Sequence, residues 1–178
     1  QPKPQLRSLD INGMLEELIR LSEPGFLARK VKPSMHLSPD LPPILGDPTH
    51  LQTLFLNLIT NALDAMPQGG VLTIKTRQVP SPLSSEDGGR LEISVTDTGI
   101  GITEESKKRI FDPFFTTKKM GEGTGLGLAI CEKIIKEHSG SIEVESEVGK
   151  GSTFLISIPV LERNETDEQN ISPSPGRG

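Results

Sequence analysis

Three groups of residues carry types and spacings that could do chemistry. Asn57, Asn61 and Asp64 fall at i, i+4 and i+7 within a stretch of helical periodicity, so two carboxamides and a carboxylate share one stripe. Asparagine is a mediocre helix former, and a solvated polar face is the plain reading of such a stripe. The sharper one is that carboxamide oxygens ligate a hard cation such as Mg²⁺ beside phosphates. In 91–97, Leu91, Ile93 and Val95 share a strand face, and period two puts Asp97 on that same inward face. A carboxylate there is costly unless donors meet it. Gly99 and Gly101 follow, either as an ordinary Asp-Gly turn or as bare backbone that a flat ligand could approach while Asp97 accepts from its amino group. The third group is Phe111-Asp112-Pro113-Phe114-Phe115, which holds half of the six phenylalanines and is followed by Thr116-Thr117-Lys118-Lys119 and glycines at 121, 123, 125 and 127. Glycine-rich backbone opening a helix aims free N–H groups at one point, which suits phosphate, and an aromatic anchor beside it is built like a lid. Neither the Walker spacing nor G-x-G-x-x-G occurs.

The elements that must position these groups are readable in outline. Ile11, Met14, Leu15, Leu18, Ile19 and Leu21 recur at helical intervals behind a possible Asp10 cap, and Pro24-Gly25 punctuates that helix. A short strand is weakly patterned over 31–37. Asp47-Pro48 supplies an N-cap and a first-turn proline for a helix running to Met66, with Leu51, Leu54, Phe55, Leu58, Ile59, Ala62 and Met66 on its apolar face. Strands over 71–77 and 91–97 form an antiparallel hairpin across a long polar loop, 80–89. A helix over 126–137, closed by Gly140, precedes a second hairpin, 142–145 with 153–158. The pattern is α+β: a two-layer sandwich with helices on a mostly antiparallel sheet.

Composition removes several classes. The 178 residues carry a net charge of −5 with no concentrated basic face and few aromatics, which argues against nucleic-acid binding. The single Cys131 permits neither an internal disulfide nor a cysteine zinc site and reads as a small core residue in a reducing compartment. No apolar run approaches the ~20 residues that span a bilayer. Residues 1–9 read as a linker from an upstream domain, 10–161 as the folded domain, and the charged, Ser- and Pro-rich 162–178 as a disordered tail. Gln1 suggests a piece of a longer protein, with this segment expected in the cytoplasm and any membrane anchor of the parent lying elsewhere.

In this order the groups converge. Residues 47–158 resemble the ATP-binding catalytic domain of sensor histidine kinases, within the wider family of DNA gyrase B, Hsp90 and MutL. Asn57-Leu58-Ile59-Thr60-Asn61-Ala62 looks like the N box, Asp97-Thr98-Gly99-Ile100-Gly101 the G1 box, Phe111-Asp112-Pro113-Phe114-Phe115 the F box and Gly123-Thr124-Gly125-Leu126-Gly127-Leu128 the G2 box; Gly151-Ser152-Thr153-Phe154 is similar to the closing strand motif. The resemblance implies a Bergerat-type fold, a mixed five-stranded sheet covered on one side by three helices, and ATP with Mg²⁺ as ligands. It implies that Asn61 coordinates the metal, that Asn57 lies beside the phosphates, that Asp97 accepts the adenine 6-amino group, that Gly99, Gly101, Phe114, Gly123, Thr124, Gly125, Leu126 and Gly127 surround the nucleotide, and that Thr153 lies near the base. Several relatives carry a basic residue where this chain has Asp64, so Lys118 or Lys119 would have to offset the γ-phosphate charge. The family's phosphoacceptor motif is absent around His36, His50 and His138, which leaves those three structural or solvent-facing roles.

The activity implied is transfer of the ATP γ-phosphate to a histidine on a separate dimerisation and phosphotransfer domain of the same kinase, and onward to a response regulator receiver domain. No nucleic acid and no membrane contact by this segment are expected. One rival is an ATP-hydrolysing switch of the gyrase or Hsp90 kind, but those relatives have a glutamate at the position of Asn57 to activate water, and an amide cannot act as that base. A serine kinase like the anti-sigma factors shares the boxes. The helix over 11–21 favours the sensor kinase, whose phosphotransfer helices join the catalytic domain at about this point.

Overall fold

The computed structural model describes residues 2–81 and 88–161. Most of the expected polar loop at 80–89 and all of the tail at 162–178 lie outside the described residues. The elements run β1 (Arg7–Leu9), α1 (Ile11–Leu21), α2 (Glu23–Arg29), β2 (Val31–Leu37), β3 (Ile44–Gly46), α3 (Pro48–Ala65), β4 (Gly70–Val79), β5 (Arg90–Asp97), α4 (Glu104–Lys107), α5 (Gly127–Glu137), β6 (Ser141–Glu147) and β7 (Gly151–Pro159). The main sheet has the order β2-β4-β5-β7-β6, parallel at β2–β4 and antiparallel elsewhere, while β1 and β3 form a separate two-stranded sheet. A mixed, mostly antiparallel sheet of five strands is the expected architecture.

Alternation gives this sheet one greasy face. Across the register, Met35, Ile74, Val95, Phe154 and Val144 lie in one row, and Leu37, Thr76, Ile93, Ile156 and Ile142 in the next. These rows meet Leu51, Leu54, Phe55, Leu58, Ile59 and Ala62 of α3, all buried, and Ile134 and Ile135 of α5. Residues of opposite parity, such as Thr73, Lys75, Glu92, Ser94 and Glu143, are polar, so the helices pack on one face.

Caps fix where the helices begin. The Asp10 carboxylate accepts from Gly13 N at the start of α1, and Asp47 Oδ1 accepts from Thr49 N and His50 N at the start of α3. Both starts follow from the sequence. Pro24 punctuates α1 by opening α2, because a fixed φ and a missing N–H suit a first turn. The expected stop at Gly140 is shared: Gly140 N donates to Ile135 O, but Ser139 takes the left-handed conformation, with φ 57°. β1, β3 and α4, of three to four residues each, are too short to show a period.

His138 is structural, as expected. Its Nε2 accepts from Asp47 N (2.9 Å), so Nδ1, 2.7 Å from Ile134 O, carries the ring proton and ties α5 to the entrance of α3. Cys131 is fully buried, and desolvation pushes its thiol up to about 12, the state of a core residue rather than a nucleophile.

Candidate functional site

The face of α3 that does not enter the core runs Asn57, Asn61, Asp64, each half-buried. Asn57 Nδ2 donates to Gly127 O (3.4 Å), which links this stripe to the start of α5. At the end of β5, Asp97 is only 4% exposed and lies in the sheet row Leu72, Asp97, Ser152, Ser146. Burial pushes its carboxyl above the usual carboxylate range, a rise moderated by the N–H groups of Gly99 and Ser152. Gly99 N donates to Asp97 Oδ1 at 2.8 Å. Beyond Asp97 the glycines admit close approach by other parts of the protein. A Cβ on Gly99 would lie 2.2 Å from Ala65 O, and one on Gly101, at φ 74°, 2.2 Å from Glu147 O. Both draw the turn against α3 and β6, and Ile100 N donates to Ala65 O.

The phenylalanine cluster divides its labour. Phe111 and Phe115 pack against the core, Arg109 stands 4.7 Å over the Phe115 ring, and Phe114 points outward, 75% exposed with φ 66°. That turn closes on Gly125: Phe114 N donates to Gly125 O, and a Cβ on Gly125, at φ 67°, would come within 2.5 Å of the Phe114 carbonyl carbon. The glycine run therefore folds back on the F box and delivers the chain into α5. No side chain caps α5, unlike α1, α3 and α4, so its first N–H groups stay available to an anion.

These parts enclose a cavity of about 630 Å³. Of the residues anticipated from sequence, Asn57, Asn61, Asp97, Gly101, Lys118, Gly123, Thr124, Gly125 and Gly127 line it. Phe114, Gly99, Leu126 and Thr153 are placed elsewhere. Phe114 is turned out by its left-handed backbone, and Phe115 lines the wall instead. Leu126 precedes the first turn of α5, and Leu128 takes the wall position. Thr153 has the wrong parity: its hydroxyl meets Thr96 at 2.9 Å on the far face of the sheet, and Ser152 and Phe154 face the cavity. That signal was present in the sequence, since Phe154, Ile156 and Ile158 must point inward together, and Ser152 with them. Reading by elements also missed Ile102, Ile110 and Thr117, which tertiary folding brings to the wall.

A family model of histidine kinase-, DNA gyrase B- and HSP90-like ATPases matches residues 46–162, a span that contains every wall of the cavity. The chain belongs to this ATPase family. It is 39% identical over 155 residues to the sensor histidine kinase ZraS of Escherichia coli (strain K12), covering 87% of this chain and 31% of that one. Among solved structures, full-length ShkA in complex with AMPPNP superposes with a TM-score of 0.76 at 30% identity, over 89% of this chain and 32% of that chain. The nucleotide-free catalytic domain of histidine kinase ThkA gives 0.75 at 30% identity, over 88% of this chain and 96% of its own. The chain thus spans about a third or less of the curated relatives it matches.

The ATPase cavity suits the family's ligand on its own chemistry. It offers a buried acceptor at Asp97, an uncapped helix start beside glycine backbone, and an ammonium at Lys118. Among the described residues no cluster of three His, Cys, Asp or Glu side chains could hold a metal by itself.

Proposed function

We propose that the chain is the ATP-binding catalytic domain of a two-component sensor histidine kinase. It moves the γ-phosphate of Mg·ATP to a histidine on a separate dimerisation and phosphotransfer domain of the same kinase, for onward transfer to an aspartate of a response regulator receiver domain. The observation that carries this reading is the identity of the residues facing the cavity from α3. Asn57 and Asn61 present amides, so no carboxylate at Asn57 can take a proton from water, and steady hydrolysis is disfavoured. Kinship with ZraS supports the same class.

Each group then has a task. Asp97 accepts the adenine amino group, where guanine would present a carbonyl and leave the carboxylate unpaired. Asn61 holds Mg²⁺, which when bound neutralises phosphate charge. Asn57, Lys118 and the N–H groups of Gly123, Gly125 and Gly127 orient the triphosphate, and Gly101 and Thr124 complete the walls. The chain supplies positioning and electrostatics for an in-line transfer, and the acceptor imidazole is its own nucleophile. None of His36, His50 and His138 lines the cavity, in keeping with an acceptor on another domain. Residues 10–161 form the catalytic unit, in the cytoplasm.

The test is incubation with γ-labelled ATP, alone and with a purified dimerisation and phosphotransfer domain. The chain alone should bind ATP, release phosphate slowly and acquire no label. With the partner, label should appear on the partner, stable to alkali and labile to acid. Acid-stable label on a partner serine, or brisk phosphate release by the chain alone, would overturn the assignment.

A further inference from the structure

The Lys118 ammonium does not hang free in the cavity. It pairs with Asp64 Oδ2, while the other oxygen, Oδ1, accepts from Arg29 Nη2 at 3.2 Å. Arg29 Nη1 also donates to Leu63 O at 3.1 Å, so the guanidinium grips both the backbone of α3 and the Asp64 carboxylate. Asp64 and Lys118 line the cavity; Arg29, on α2, does not. The line therefore runs from the outer surface, through one carboxylate, to a cation on the lid.

Two features show that the lid is shaped around this lysine. Lys118 N donates to Thr116 Oγ1 at 3.1 Å, which pins the backbone at the turn, and a Cβ on Gly123 would fall 2.8 Å from Lys118 Cδ, so the glycine run is moulded over the lysine stem. Asp64 lies one helical turn beyond Asn61. An ammonium has three N–H donors, and a single bond to Asp64 leaves others to point into the cavity. Half-exposed ion pairs add little to stability, so holding the fold together does not account for this arrangement.

We propose that Arg29, Asp64 and Lys118 form a relay that reads the γ-phosphate: Lys118 contacts it, Asp64 is the positioning residue that holds Lys118 there, and Arg29 is a second positioning residue, outside the cavity, that fixes Asp64. The relay rests on the ATP-dependent kinase reading. Asp64 would repel a triphosphate if left bare; flanked by two cations, it becomes the middle of a site with net positive charge. A lysine held from behind meets the γ-phosphate with less freedom to lose than a lysine on an untethered lid.

The readout is the ratio of Mg·ATP to Mg·ADP affinity, measured by calorimetric titration of the 178-residue chain, because the two nucleotides differ only in the γ-phosphate that the relay is proposed to read. Lys118→Gln should lower the ratio about tenfold, the size of one charge-assisted hydrogen bond. Asp64→Asn should lower it in the same direction, and Arg29→Gln, which touches no nucleotide, by about threefold, since it acts only through Asp64. A ratio unchanged in Arg29→Gln and Asp64→Asn would overturn the relay. A ratio that rises in Asp64→Asn would overturn it too, by showing that the carboxylate sequesters Lys118. Failure of the unsubstituted chain to bind Mg·ATP would fall on the kinase reading itself and take the relay with it.

Discussion

At the scale of single residues, Asp97 carries a cost in stability at the position proposed to recognise adenine. It sits at a sheet position where every neighbour of the same parity on β5 is apolar, and burial raises its carboxyl above the ordinary 3.8. A raised acid binds its proton more tightly in the folded chain than in the unfolded one, so its ionised form costs stability as pH rises through the folded value. Under the proposed function recognition runs the other way: the adenine amino group would need the carboxylate, and ATP affinity should fall as pH drops through that same raised value. Asp97→Asn should therefore raise the melting temperature of the nucleotide-free chain at neutral pH, with the gain shrinking on acidification. The same substitution should weaken ATP binding by about 1.5–3 kcal/mol. Melting curves over a pH series, paired with calorimetric titration, check both halves; a mutant less stable at neutral pH that binds ATP normally would remove Asp97 from the adenine site.

At the scale of elements, the entrance of α3 is the joint on which the site depends, because α3 carries Asn57, Asn61 and Asp64 as one rigid stripe. Asp47 collects donors from three directions: Thr49 N and His50 N on Oδ1, and Gln5 N at 2.7 Å on Oδ2. The N–H of Gln5 chiefly holds its carboxyl below the usual range, against the opposing effect of burial. A lowered acid gives stability that is present above the unfolded value of 3.8 and is lost as pH falls through the folded value. Asp47→Ala should cost about 1–2 kcal/mol in chemical denaturation at neutral pH, through loss of the cap. That difference should close in acid, where the wild-type carboxyl is protonated. A difference that persists unchanged at low pH would assign the loss to packing instead.

At the scale of the whole molecule, the two ends of the described chain meet on one short strand. β1 pairs with β3 through Arg7↔Gly46 and Leu9↔Ile44, while Ile44 bridges Val160 and Leu161 N donates to Pro43 O at 2.9 Å. Residues 1–9, read as the linker, thus end in a strand docked on the domain, and Gln5 within them donates to the Asp47 joint. Deleting residues 1–9 should lower stability by about 1–3 kcal/mol, the worth of a few net hydrogen bonds, with ATP affinity little changed because none of the described residues 2–9 lines the cavity. Denaturant melts of the shortened chain, read beside nucleotide titration, check this; lost ATP binding in a fully folded deletion would show that the linker shapes the site.

What the sequence determined on its own was whatever depends on local period and capping. The long amphipathic stretch behind Asp47-Pro48 gave α3 its core face and its polar stripe together, and alternation in 91–97 turned Asp97 inward before any partner strand was known. Alternation in 153–158 held the same information about Ser152, although Thr153 is the more conspicuous residue. Tertiary structure alone decided what depends on contacts between distant segments. β1 and β3 exist because they pair with each other, not because three residues can display a pattern. Phe114 points outward because Gly125 approaches its backbone from the far end of the lid. Arg29, Asp64 and Lys118, separated by 35 and 54 positions, are joined only where α2 and the lid both reach the end of α3. Backbone sterics and hydrophobic period act over a few neighbours, whereas a charge meets whatever the fold brings to it.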